Sequence, residues 1–133
     1  MARGAVASQM NQQNSNGLLF KLIGANMNST SDQAFIKNGG FSRYVINQII
    51  ADNASTSLTL AAGGIYTGAG KSGVIVVAAA QAWAALVSSI INLIPALANS
   101  NSRTEAGLFL SLTVAQGSAA TCDFYVYGTA LSW

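Results

Sequence analysis

The chain has 133 residues, enough for one domain and too few for two of ordinary size. Charged residues make up 8% of it, against about 25% in an average soluble domain, while apolar residues make up 51%. So little charge solvates a lone monomer poorly, so part of the surface is expected to be covered by other subunits or by lipid.

The same inventory excludes most chemistry. Histidine is absent, which removes the commonest general base and the commonest metal ligand. Asp32, Asp52, Glu105 and Asp123 are the only acids and share no local motif. Cys122 is the single cysteine, without companions for a metal site, and its TCDFYVY setting favours a small buried hydrophobe over a reactive thiol. No enzyme activity, cofactor, metal or small-molecule substrate is expected. The six basic residues, Arg3, Lys21, Lys37, Arg43, Lys71 and Arg103, are scattered, which argues against a nucleic-acid partner.

Residues 1–16, with SQMNQQNSN at their centre, are too polar to offset their own ordering entropy. They read as a polar N-terminal arm, either a disordered tail or a segment that orders against a partner. No apolar stretch of signal-peptide length lies there, so the glycosylation sequons at Asn28 and Asn53 carry little weight. The remainder, 17–133, reads as one β domain. GLLFKLI is expected to be a strand with Leu18, Phe20 and Leu22 on one face and Leu19, Lys21 and Ile23 on the other. YVINQII fits both a helical stripe and a strand, and its β-branched content favours the strand.

GGIYTGAGKSG, 63–73, resembles a phosphate-binding loop, which requires G-x-x-x-x-G-K-[ST]. Ile65 stands where the first glycine belongs, and GVIVV follows where a helix should open toward the anion. The stretch is therefore read as a glycine turn, a short IYT strand and a second turn with Lys71 at its tip. That lysine is either solvated or docked on an acidic partner.

The run 73–98 carries no charge over 26 residues and is long enough to cross a bilayer as a helix. Gln81, Ser88, Ser89, Asn92 and Pro95 interrupt it, and flanking aromatic and basic anchors are missing. Two buried strands, VIVV and LVSSIINLI (86–94), are the preferred reading over a membrane helix. Farther on, Leu108, Leu110, Leu112 and Val114 alternate with Phe109, Ser111, Thr113 and Ala115. Cys122, Phe124 and Val126 likewise alternate with Asp123, Tyr125 and Tyr127. Seven turn clusters, thirteen glycines and one proline complete an all-β pattern, a single-domain β-sandwich or barrel.

Two segments carry a resemblance. NASTSLTLAAGGIYTGAGKSGVIVVAAAQAWAAL, followed by LFLSLTVAQGSAATCDFYVYG, is similar to segments of small structural proteins encoded among the head genes of tailed bacteriophages and prophages. The likeness spans about Tyr44 to Gly128. It implies a jelly-roll-like β-sandwich acting as a capsid decoration, or cement, protein on the outside of a virion made in a bacterial cytoplasm. The implied partners are the major capsid protein and further copies of the chain, a homotrimer, with no nucleic acid and no membrane. No catalytic residue comes with it.

For such a role the candidate contact residues are Arg3, Phe20, Phe41, Lys71, Trp83 and Trp133. Trp133 is favoured because a chain terminus is hard to bury within its own fold. Competing readings are a head-fibre base or tail component, a carbohydrate-binding sandwich using Tyr44, Tyr66, Tyr125 and Tyr127, and a small membrane protein.

Overall fold

Strands form where the sequence alternates, and the glycine- and asparagine-rich clusters turn the chain between them. The computed structural model describes residues 17–87 and 91–133; the expected arm and Arg3 lie outside them. Eight strands occur in the described residues: β1 Gly17–Asn26, β2 Gln33–Ala34, β3 Ile36–Lys37, β4 Arg43–Asp52, β5 Ala62–Gly68, β6 Ser72–Val77, β7 Phe109–Val114 and β8 Thr121–Ser132. They make two antiparallel four-stranded sheets, ordered β3-β1-β8-β4 and β2-β7-β5-β6. The sheets pack face to face as a β-sandwich around one apolar core.

The core takes one face of each sheet. Phe20, Ile46, Ile49, Phe124 and Val126 enter from the first sheet; Ile65, Val76, Leu108, Leu110 and Leu112 enter from the second or its approach. YVINQII is strand β4, and Cys122, Phe124 and Val126 point inward as their alternation requires.

Three local expectations are corrected. In β1, Leu18 pairs with Tyr127 and Phe20 with Val126, so Leu19 is an inserted bulge residue, buried beside Phe20 and not opposite it. In β7, Thr113 is the extra residue between the Ala62–Val114 and Gly63–Leu112 pairs, and it turns Val114 outward to 49% exposure. Gly63 and Gly64 lie inside β5, not in a turn. A Cβ on Gly64 would collide with the Val77 carbonyl oxygen, so glycine there allows close backbone approach.

The uncharged run divides. VIVV lies in β6 as expected. The described residues of LVSSIINLI form no strand: Leu86 closes a turn on Trp83, and Leu93 makes one isolated bridge to Ala51, with 88–90 outside the described residues. Ser88, Ser89 and Asn92 give a ladder little apolar side chain to pack, and Pro95, which follows at once, has no N–H to donate to one. Among the described residues no helix is long and apolar enough to cross a membrane.

Residues 91–103 run along the open edge of β4. Ala51 and Leu93 exchange two backbone hydrogen bonds of 2.9 and 2.8 Å, and Tyr44 and Arg103 exchange two of 3.0 and 2.7 Å. An otherwise exposed edge is thereby occupied.

Candidate functional site

Size decides where the aromatic candidates go. Phe20, Phe41 and Trp83 are buried, so none of the three offers surface to a partner. Phe20, Phe41 and Tyr44 pack edge to face, with ring centres 5.4–5.9 Å apart. Trp83 meets Phe124 edge-on at 5.2 Å. Trp133 differs: its ring touches Phe41 edge-on at 6.2 Å and stays 72% exposed. Lys37 lies over the other side of that corner, its Nζ 4.6 Å from the centre of the Phe41 ring.

Lys71 is exposed at the turn, and its ammonium also bonds within the chain. The β5–β6 hairpin turns through Gly70 and Lys71, both with positive φ, and folds back on its own sheet. Lys71 Nζ donates to Ser111 Oγ at 3.0 Å, and the Gly70 N–H donates to Asp32 Oδ2 at 2.7 Å. The Gly70 hydrogen bond above all, then the Ser111 hydroxyl, and last the Lys71 charge, hold the Asp32 carboxyl below its ordinary range. A depressed folded pKa adds stability above the unfolded value of 3.8, and that stability is lost as pH falls through the folded pKa. The hairpin therefore stays latched at neutral pH. Tyr66 lies on the same outer face, opposite Phe109 and Ile75, and is buried.

A serine beside a lysine invites comparison with Ser–Lys nucleophile pairs. Here Ser111 is 1% exposed, and its hydroxyl is held between the Lys71 ammonium and the Asp32 carboxylate. The hydroxyl is tied up as a link in the latch, with no approach for a substrate.

A second cluster is acidic. Asp52 and Asp123 stand directly opposite on β4 and β8. Asp123 accepts from the Gly24 N–H at 2.8 Å and from Asn53 Nδ2 at 2.9 Å. Asp52 has one enclosed oxygen, Oδ1, with no hydrogen-bond donor. Burial, then the charge of Asp123, push the Asp52 carboxyl above its ordinary range. Among the described residues no three His, Cys, Asp or Glu side chains come together as metal ligands.

Cys122 is buried, and burial, followed by the charges of Asp123 and Asp52, pushes its thiol up to about 12. The thiolate is the reactive form. The folded protein is therefore expected to resist a thiol reagent such as dithiobis-nitrobenzoate at pH 8 and to react fully once unfolded in guanidinium. Fast labelling of the native state would show that the thiol is accessible.

Of the four tyrosines considered for sugar stacking, Tyr44 and Tyr66 are buried, and only Tyr125 and Tyr127 reach the surface of the first sheet. Tyr44 donates its hydroxyl to the Glu105 carbonyl at 2.7 Å, and burial raises its pKa to about 12. The Asp32 latch and the facing Asp52–Asp123 pair were not foreseen. Both join residues 38 or more positions apart, and no local spacing marks them. The chain matches no known family model, no curated protein and no solved structure.

Proposed function

We propose that this chain is a virion structural protein of a tailed bacteriophage, a decoration protein that binds the outer capsid surface and braces the junctions between capsomers. The observation that carries the reading is apolar surface left over once the core is complete. Ile23, Ile36, Leu60, Ile75, Val87, Ile91, Ile94, Val114, Leu131 and Trp133 are all exposed, on a chain only 8% charged. On a surface this poor in charge, that apolar area favours a covering partner. The likeness of its two segments to phage head proteins supports a capsid as that partner, with residues 1–16 as an arm reaching a neighbouring subunit.

The finer fold reading is a jelly roll, a long antiparallel hairpin rolled into two sheets. The pairings support it: β1 with β8, β2 with β7, β4 with residues 91–103, and β5 with β6. Each outer pair encloses the next, as winding a hairpin requires. In this reading the chain acts in the virion, made in the bacterial cytoplasm and held on the capsid exterior in many copies. The mechanism is adhesive. Contacts spanning a junction must break before the shell opens, and many copies multiply a modest affinity.

Trp133 is the anchor of choice, because exposed tryptophans are enriched among the residues that dominate binding energy. The test is binding of purified protein to expanded empty heads. Wild type is expected to bind saturably, and Trp133→Ala to bind at least tenfold more weakly with its melting temperature little changed. Absence of saturable binding to heads, with the protein instead found in tails, would reject the capsid reading in favour of a tail component.

A further inference from the structure

The outer face of the β3-β1-β8-β4 sheet carries a pattern that the core does not use. Residues in register across neighbouring strands share a face. Ile36, Lys21, Tyr125 and Ile50 form one such row, and Leu18, Tyr127 and Gln48 form the next. Two residues along β8 from Tyr125, in the other direction, Asp123 and Asp52 close the face. Within these three rows a mostly apolar, aromatic surface thus has one cation, Lys21, and two carboxylates at one end; Arg43 lies at the opposite end of β4.

Neither charge is balanced within the chain. Among the described residues the only ion pair joins Arg103 and Glu105, at 3.2 Å, so Lys21 has no acidic partner. Asp52 and Asp123 face each other without a cation, and Asp52 Oδ1 is enclosed and unpaired. Like charges placed directly opposite on paired strands destabilise a sheet, and a nearby ammonium would remove that cost.

We propose that this face binds a second copy of the chain through a two-fold contact, in which Lys21 of each copy meets the half-buried Asp52 carboxylate of the other, beside the buried Asp123. A two-fold interface uses one patch on both subunits and must be complementary to itself. An axis in the contact plane, between the Lys21 row and the Asp123 row, brings each ammonium over the opposing carboxylates. Tyr125, which lies nearest the axis, and Ile50 then form the dry centre.

The extent of the face suits the contact. Strands of ten to twelve residues, at about 4.8 Å spacing and about 3.3 Å rise, give three strands a plane of roughly 500 Å². That is the same order as the roughly 800 Å² of accessible surface each partner buries in a specific interface. The pairing goes beyond capsid binding and does not depend on it.

Charge reversal tests it in the absence of any capsid. In sedimentation equilibrium the full chain is expected at twice its 13.6 kDa mass. Lys21→Glu and Asp52→Lys, each made alone, should weaken self-association at least tenfold while leaving the far-ultraviolet circular dichroism unchanged. The double variant Lys21→Glu/Asp52→Lys should associate again, and an equimolar mixture of the two single variants should form the mixed dimer. A monomer at 100 μM, roughly a hundredfold above a micromolar Kd, or a three-fold mass, or a dimer indifferent to both reversals would overturn the two-fold contact. Each of those results leaves head binding to be judged on its own assay.

Discussion

Replacing Trp83 with alanine is expected to remove about 3–5 kcal/mol of stability, a large share of the roughly 5–15 kcal/mol that a domain of this size has. The side chain is fully enclosed and meets Phe124 edge-on at 5.2 Å. Its backbone is fixed as well: its N–H donates to the Ala61 carbonyl, and its own carbonyl accepts from Leu86. Truncation would leave a cavity between segments that are tied at both ends and cannot close over it. Trp83→Phe should cost much less, because the indole Nε1 has no hydrogen-bond partner to lose and a ring remains against Phe124. Urea unfolding of the three proteins gives the comparison. A loss below about 1 kcal/mol for alanine would remove Trp83 from the core, since burial of so large a ring carries several times that.

The same residue shows how far the sequence could be read. Trp83 and Phe20 announce large buried surfaces wherever they occur, but nothing in their neighbours says whether the burial is against the chain itself or a partner. Of the aromatic contact candidates, Trp133 is the one that stays exposed. Alternation fixed the inward faces of β8 and of most of β7, since a period of two survives wherever a strand keeps register. It failed at Leu19 and Thr113. A bulge depends on the partner strand, β8 for one and β5 for the other, and a single segment carries no record of its partner.

The hairpin 63–73 marks the other limit. Departure from the phosphate-loop spacing was legible, and so was a turn at Gly70 and Lys71. The destination of the lysine was not, because Ser111 and Asp32 are brought to it by the pairing of β2 and β5 with β7. Residues 91–103 show a similar dependence. They lie beside β4 through two bridges, and only 91–94 of them fell within the stretch whose alternation predicted a strand, so their place is set by the neighbour's edge and not by a periodicity of their own. Packing two antiparallel sheets face to face places distant segments side by side, and the features with chemical consequence arise at those meetings.

Gly128 is where that meeting is closest, and Gly128→Ala is expected to cost roughly 3 kcal/mol or more, the upper end for overpacking a core. Gly128 lies within β8, between Gly17 of β1 and Ile46 of β4. A Cβ there would run into the Val45 carbonyl oxygen, and would also lie 2.7 Å from Leu19 Cδ1. The leucine can shift, but the carbonyl cannot without disturbing the β4–β8 ladder. Two glycines of β1 separate this cause from others. Gly24→Ala meets no atom but has a φ of +68°, and should cost about 1–2 kcal/mol from backbone conformation alone. Gly17→Ala has neither obstacle and should be nearly neutral. Chemical denaturation that ranks the losses Gly128, Gly24, Gly17 supports a backbone collision at the centre of the first sheet. Equal losses at Gly128 and Gly24 would mean that β4 and β8 can separate enough to admit a methyl group, and that the sheet is softer there than its register indicates.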